Sequence, residues 1–276
     1  MTVDNHLESA TDEMMAKENK PKQSKGLRLW WGNNWRGILS ELVSTFLLLF
    51  LGCMGCIPID GFPKNPPLYG ALGFGLIVLI NIQTFGGISG AYMNPAVTLA
   101  AVIWGNMSIA VGLAYFVVQC LGAVIGFGAL MGMSPIDLYT DGVCTTQPHE
   151  KHNIYQALGI EIFLTASLVF INCNLWDPVN ADTDGSNPIK LGLTVVGLSI
   201  VGGPLTGASM NPARSFAPAV WTNTWNGHWI YWVGPFVGSV LAVVFYKYIW
   251  LKVEKVKSPE VLPWTETNNG EFSKIL

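Results

Sequence analysis

Two long stretches of this 276-residue chain carry almost no charge. No charged residue lies between Asn65 and Ile136. Between Leu191 and Tyr246, Arg214 is the single charge. A helix needs about 20 mainly apolar residues to cross the hydrocarbon core of a membrane. The apolar pattern predicts six such spans: about Ile38–Cys56, Leu68–Phe85, Ile109–Met131, Ile154–Asn174, Leu191–Val201 continuing a few residues either way, and Trp229–Trp250. The fifth is short and interrupted by glycine.

Two shorter apolar segments, Asn94–Trp104 and Asn211–Trp221, are too short to span a membrane. Each begins with an Asn-Pro-Ala triplet that follows Gly-Ala-(Tyr/Ser)-Met. Asn is a good N-cap, and Pro suits the first helical turn because its missing N–H costs nothing there. Each triplet is therefore predicted to begin a short re-entrant helix whose positive dipole end points into the membrane. The triplet residues are Asn94, Pro95, Ala96, Asn211, Pro212 and Ala213.

The two halves of the chain share a further pattern. Glu41 and Glu161 open corresponding spans, each with a threonine four residues later. Three spans in each half is an odd number, so the halves insert in opposite directions as inverted repeats. Irregular backbone at membrane depth is tolerated only where protein buries it or water lines it. We expect an all-α membrane protein of six transmembrane helices plus two re-entrant half-helices, with a water-filled path through it.

The distribution of Lys and Arg sets the expected orientation. These residues concentrate near the two ends of the chain, while the loops that would be outside hold only Lys64, Lys151 and Arg214. Both termini are therefore expected in the cytoplasm, with the protein in the plasma membrane. The channel domain is predicted at 35–252, with repeats of about 35–135 and 152–252, between cytoplasmic tails of 1–34 and 253–276.

Composition supports a multi-pass membrane protein and argues against an enzyme. Charged residues make up 12% of the chain, against about 25% in soluble domains. No nucleophile–base set, metal-ligand cluster or phosphate-binding loop appears, so no catalytic residue, metal, cofactor or nucleic-acid partner is expected. Five cysteines are present, and Cys53-Met-Gly-Cys56 has the spacing of a redox motif. Because that motif lies in an apolar run, we do not interpret it as redox-active.

The paired Asn-Pro-Ala boxes, the segments around them and the two Glu-xxx-Thr spans resemble the aquaporin (major intrinsic protein) family, over roughly Trp35 to Trp250. The resemblance implies six tilted helices with two half-helices, and a homotetramer in which every subunit has its own pore. It also implies that Gly90, Ala91, Tyr92, Gly207 and Ser209 contribute pore-lining groups or loop carbonyls. The partners implied are water, small neutral solutes and the lipid bilayer.

The resemblance also implies a narrow selectivity filter of four residues. Counting from the two triplet asparagines places the filter at Phe74, Ser199, Ala208 and Arg214. Water-selective members are expected to carry His where this chain has Ser199, so the predicted opening is wider and more apolar. Ser215, directly after Arg214, resembles the water-channel branch instead. This combination is similar to the insect entomoglyceroporin group.

Several hypotheses stay open at this point. Glu41 and Glu161 could form a proton relay, or they could brace the re-entrant loops, which their symmetry favours. We expect a passive channel for water, glycerol and urea that excludes ions and protons through Arg214 and the half-helix dipoles. The alternatives are a strictly water-selective channel and, more remotely, a membrane junction or adhesion protein with a vestigial pore.

Overall fold

The structure is a computed structural model that describes residues 22–58, 67–180, 185–251, 264–266 and 272–274. Within those residues, six helices are long and apolar enough to cross a membrane. The helices in chain order are α1 (Lys22–Met54), α2 (Pro67–Ser89), α3 (Pro95–Trp104), α4 (Ile109–Met133), α5 (Leu138–Asp141), α6 (Ile154–Trp176), α7 (Asn187–Thr206), α8 (Pro212–Thr222) and α9 (Ile230–Phe245). A 3₁₀ turn (Pro178–Asn180), a π-helical turn (Tyr246–Trp250) and two antiparallel strands, β1 (Trp264–Glu266) and β2 (Phe272–Lys274), complete the described elements.

The prediction of six spans and two short helices is confirmed, but the start of the first span differs. Helix α1 begins at Lys22 and not near Ile38, so it extends through polar sequence that the apolar pattern places in the N-terminal tail. Helix α7 runs from Asn187 to Thr206, a few residues beyond Leu191–Val201 on either side as expected, and it continues through Gly202-Gly-Pro204. Continued helix keeps backbone groups bonded internally where a membrane offers no water. Residues 1–21 of the N-terminal tail, and all of the C-terminal tail except the two strands, lie outside the described residues.

The inverted repeat is visible in which helices pack together. In the first half α1 packs against α4, and in the second half α6 packs against α9 in the corresponding way. Helices α2 and α7, which are also equivalent, contact each other across the two halves. Each half-helix packs on a long helix of the other half, α3 on α9 and α8 on α4. The half-helices therefore tie the two repeats into one body.

Glycines allow the long helices to approach closely at equivalent places. On α4, a Cβ at Gly122 or Gly126 would clash with a backbone carbonyl of α1. On α9, a Cβ at Gly238 would clash with the carbonyl oxygen of Ile162, and one at Gly234 would lie 2.8 Å from the Cβ of Glu161. Small residues four apart are the usual means of close helix contact in membranes, where lipid tails are as apolar as leucine. These contacts fix the two helices that carry the buried glutamates.

We expect Gly238→Val to destabilise the protein, because the added side chain would push α9 away from α6. Overpacking of this kind costs about 1–3 kcal/mol. The matched control is Gly197→Val, on α7, where an added Cβ meets no atom within 4 Å. Thermal unfolding of the detergent-solubilised protein, followed by size-exclusion chromatography, should show a lower midpoint for Gly238→Val alone. Equal midpoints for the two variants would contradict the close-packing interpretation.

Candidate functional site

The two Asn-Pro-Ala triplets begin the two half-helices. Asn94 is the N-cap of α3, and its Oδ1 accepts a hydrogen bond from the backbone N of Ala96 at 2.8 Å. Asn211 is the N-cap of α8, and its Oδ1 accepts from the backbone N of Ala213 at 3.0 Å and of Arg214 at 3.3 Å. The proline of each triplet stands in the first turn, as its fixed φ favours.

The two loops are also bonded to each other across the repeat. Nδ2 of Asn94 donates to the backbone oxygen of Met210, and Nδ2 of Asn211 donates to that of Met93, both at 2.8 Å. The primary amide of asparagine has two N–H donors. One donor of each asparagine is therefore used in this exchange, and the second is the one available to a molecule in the path.

The loops before the triplets share an unusual backbone. Ala91 and Met93 have positive φ in the first loop, as do Ala208 and Met210 in the second. Such angles are uncommon outside glycine and persist where the surroundings impose them. The glycines that open the loops, Gly90 and Gly207, have positive φ as well. Two independent segments of the chain are thus held in the same strained conformation.

Glu41 holds the first loop from a fully buried position on α1. Its carboxylate accepts hydrogen bonds from the backbone N of Tyr92 at 2.9 Å and of Met93 at 2.8 Å. Ser89 Oγ donates to the same carboxylate at 2.7 Å and accepts from the backbone N of Ala91 at 3.0 Å. Nε2 of Gln119, on α4, donates to it at 2.8 Å.

Glu161, on α6, holds the second loop in the same way. It accepts hydrogen bonds from the backbone N of Ser209 and of Met210, both at 2.9 Å. Thr206 Oγ1 donates to it at 2.6 Å. The threonine one turn after Glu41 takes no part in the bracing, because the hydroxyl of Thr45 bonds the backbone oxygen of Glu41 within α1. Both carboxylates make the contacts of loop braces, and we propose that bracing is the role of both glutamates.

A cavity of about 710 Å³ passes between the repeats. One end, here called the Arg214 mouth, is lined by Cys56, Gly70, Cys144 and Arg214. The other end, here called the Trp176 mouth, is lined by Leu175, Trp176, Asn187 and Pro188. The lining also includes both capping asparagines, Asn94 and Asn211, and the loop residues predicted to line a pore, namely Gly90, Ala91, Tyr92, Gly207 and Ser209.

The four predicted filter residues all line the cavity. The guanidinium carbon of Arg214 lies 4.8 Å from the centre of the Phe74 ring, and its Nη1 donates to the backbone oxygen of Cys144 at 2.6 Å. Ser199 lies on the face of α7 that also presents Val195 and Gly203 to the cavity. Ala208, in the second loop, is the fourth. At the four predicted positions the cavity lining therefore consists of one cation, one aromatic ring and two small side chains.

The Trp176 mouth is ringed by aromatic side chains. The ring of Tyr92 lies 6.3 Å from that of Tyr115 and 6.2 Å from that of Trp176. Beside them, Nζ of Lys247 donates to the backbone oxygens of Ile103 and Trp104, each at 2.9 Å. A cation at these carbonyl groups stabilises the C-terminal end of α3, where the helix dipole is negative. The positive N-terminal end of α3 points at the cavity.

Two features of the site were missed by sequence reasoning. Cys53 forms a disulfide with Cys144, 91 residues later, and not with Cys56. An odd number of cysteines in distant segments leaves the pairing open, so spacing alone could not identify it. The second is Gln119, which also donates to Thr98 Oγ1 at 2.8 Å. The sequence did indicate a role for Gln119, since a polar side chain inside an apolar span usually has a hydrogen-bonding partner there.

A cavity that runs between six membrane-spanning helices and is flanked by two half-helix N-termini defines a membrane channel. Comparison with known families matches residues 30–246 to the family described as "Major intrinsic protein". The chain is 38% identical to Aquaporin-4 of Mus musculus over 224 residues, which cover 80% of this chain and 69% of that protein. It is 37% identical to the lens fiber major intrinsic protein of Lithobates pipiens over 215 residues, 78% of this chain and 81% of that protein.

The fold is also that of a solved channel. The X-ray structure of the aquaglyceroporin from Plasmodium falciparum matches with a TM-score of 0.69 and 23% identity, covering 78% of this chain and 96% of that one. The protein belongs to the major intrinsic protein family, the aquaporins. Proteins of this family are channels for water and small solutes, so the expectation of a non-enzymatic, multi-pass membrane channel is confirmed.

We expect Glu161→Gln to lower the thermal midpoint and the water permeability per folded channel. The replacement amide presents a donor where a loop N–H already points, and an unsatisfied buried donor costs about 1–3 kcal/mol. Ser167→Ala on the same helix is the control, because that exposed hydroxyl bonds only its own helix at Phe163. If Glu161 were instead a proton relay, the variant would alter proton flux and leave the midpoint unchanged.

We also expect Cys56 to react slowly with iodoacetamide at neutral pH. Burial raises the pKa of the Cys56 thiol above its ordinary value of 9.0, and Arg214 opposes this only in part. Since the thiolate is the nucleophile, labelling should be slower than for free cysteine at pH 7 and should accelerate as the pH rises. Peptide mass spectrometry would follow the rate, with Cys56→Ser as the blank. Labelling at pH 7 as fast as that of free cysteine would contradict the expected pKa.

Proposed function

We propose that this protein is a passive channel for water, glycerol and urea. The observation that carries the proposal is that Ser199 and Ala208 line the same cavity as Phe74 and Arg214, and we place all four at the Arg214 mouth. Two small side chains leave more room beside the guanidinium than a histidine would. One turn after Ser199 on α7, the cavity is lined by Gly203, which has no side chain.

The walls of this opening suit a short polyol. Phe74 and Ala208 offer apolar surface to its carbon atoms, on one side of the path. Arg214 offers N–H donors to its hydroxyl oxygens, on the other side. The braced loops are proposed to contribute acceptors, because their N–H groups are directed to Glu41 and Glu161. Carbonyl groups other than those of Met93 and Met210, which accept from the asparagines, are then available to the cavity. Urea, which has both donors and acceptors, fits the same arrangement.

Charge supports the exclusion of cations and protons. Arg214 is only 9% exposed and carries a permanent charge at the opening. Farther in, the N-termini of α3 and α8 add positive partial charge at the same level from both sides. The free amide hydrogens of Asn94 and Asn211 donate to the oxygen of a water between them. That orientation interrupts a uniformly directed water wire, along which protons would otherwise pass.

The disulfide supports an orientation. Disulfides persist in oxidising compartments and are rare in the cytosol. The Cys53–Cys144 bond lies at the Arg214 mouth, so this mouth is proposed to face outside the cell, with both termini cytoplasmic. The plasma membrane is the proposed location, a homotetramer the proposed assembly, and the insect entomoglyceroporin group the proposed branch of the family. The last two rest on the family resemblance.

The test compares Ser199→His with the wild type in stopped-flow measurements on proteoliposomes. We expect the wild type to pass water, glycerol and urea, and the histidine variant to keep water permeability while losing most glycerol and urea flux. The reason is that the imidazole ring fills the space beside Arg214 that serine leaves open. Ser199→Ala is the matched control, since it changes polarity at the same position without narrowing it.

The alternatives predict different results. A wild type that passes water alone would identify a strictly water-selective channel, whatever the variants do. Permeability equal to that of protein-free liposomes for all three solutes would favour a junction or adhesion protein with a vestigial pore. Loss of all fluxes in Ser199→Ala would mean that the serine hydroxyl itself is needed in the path.

A further inference from the structure

Among the described residues, the Arg214 guanidinium makes one hydrogen bond, and its acceptor is the backbone oxygen of Cys144. Nη1 donates to the Cys144 backbone oxygen at 2.6 Å, and the Phe74 ring provides the other close contact. A charge-assisted hydrogen bond of this length is among the stronger ones in proteins. The position of the cation therefore depends on the position of one carbonyl group in the loop between α5 and α6.

That carbonyl belongs to a residue in an unfavourable backbone conformation. Cys144 has a φ of +66°, a region that side chains other than glycine, asparagine and aspartate rarely adopt. Its side chain is cross-linked to Cys53, which is fully buried in the last turns of α1, with the two Cα atoms 5.5 Å apart. Neighbouring residues are tied elsewhere, for example Thr146, whose hydroxyl donates to Ser215 Oγ at 2.8 Å. The disulfide is the restraint on Cys144 itself.

We infer that the Cys53–Cys144 disulfide is a positioning element of the selectivity filter. It holds the Cys144 carbonyl where Arg214 can donate to it, and so keeps the guanidinium fixed against Phe74 at the opening. Without the cross-link, Cys144 can leave its strained conformation and its carbonyl can turn away. Arg214 then loses a fixed acceptor, the cation becomes mobile, and the opening widens for solutes larger than water. The inference rests on the proposed function in one respect, the assignment of Arg214 to the filter.

Reduction of the folded channel provides a direct test. One molecule of dithiothreitol transfers two hydrogen atoms to the bond, becomes a cyclic disulfide itself, and leaves Cys53 and Cys144 as thiols. Wild-type proteoliposomes are compared before and after reduction, with mass spectrometry reporting the state of the bond. Cys53→Ala/Cys144→Ala is compared in parallel, and Cys120→Ala, on the middle of α4, is the control for loss of a cysteine.

The expected result is a rise in the urea-to-water and glycerol-to-water permeability ratios, by roughly three- to tenfold, in the reduced protein and in the double variant. That range corresponds to the net free-energy contribution of one typical intramolecular hydrogen bond. Dithiothreitol should change nothing further in the double variant, and Cys120→Ala should behave as the wild type. Where the double variant fails to fold, the reduced wild type decides the outcome; where the bond resists reduction, the double variant does.

Three results would overturn the inference. The first is a bond that non-reducing mass spectrometry does not find in the purified protein. The second is a lower thermal midpoint with unchanged solute ratios, which is the result expected of a disulfide that only stabilises the fold. The third is an equal change in Cys120→Ala. A wild type that passes only water would instead contradict the proposed solute range, and it would leave the inference supported if reduction still admitted urea.

Discussion

The structure depends on hydrogen bonding two stretches of irregular backbone at a depth where water cannot do it. Every loop N–H that leaves the helical pattern needs a partner there, because an unsatisfied group costs several kcal/mol in hydrocarbon. Glu41 and Glu161 supply two acceptor oxygens each, aimed at two consecutive N–H groups. A serine in one loop and a threonine in the other carry the network one residue further. The strained φ values are tolerated because the braces over-determine them.

This arrangement also bears on which hydrogen-bonding groups line the cavity. Two loop carbonyl groups, those of Met93 and Met210, accept from the capping asparagines, and we propose that the remaining ones face the cavity. The half-helices add the opposite sign, since their N-termini and the capping asparagines present donors at the same level. On this proposal, the bracing of the loops also determines the cavity lining, in which loop carbonyl acceptors lead to the paired amide donors of Asn94 and Asn211. The glycines of α4 and α9 allow these helices to pack closely on α1 and α6, which carry Glu41 and Glu161.

The sequence predicted those parts of the site that local chemistry determines. Asn before Pro marked the start of each half-helix, and repetition of that signal in uncharged sequence predicted the inverted repeat. The loops' partners were predictable only in outline, because which hydroxyl reaches a carboxylate depends on helix packing: Ser89 and Thr206 do, while Thr45 does not. The disulfide was not predictable, since residues 53 and 144 meet only after α1 and α4 are packed. The start of α1 at Lys22 was not predicted, because the apolar pattern marks only the part of a helix that can lie in the membrane. The helix continues beyond that part through polar and charged residues.

The repeats are alike in their braces and different in the residue directly after each triplet, and this difference separates two tasks. Val97 stands where the second repeat has Arg214, so the first half-helix adds no cation to the cavity. On the proposed function, the symmetric centre, with its paired asparagines, orients the molecules that pass. The asymmetric mouth would then select by size and charge, through one guanidinium between a phenyl ring and a carbonyl group. We therefore expect a change at position 199 to alter the width of that mouth without disturbing the centre, because the middle of α7 takes no part in bracing either loop. Solute range can therefore vary in this fold while the backbone solution at its centre is kept.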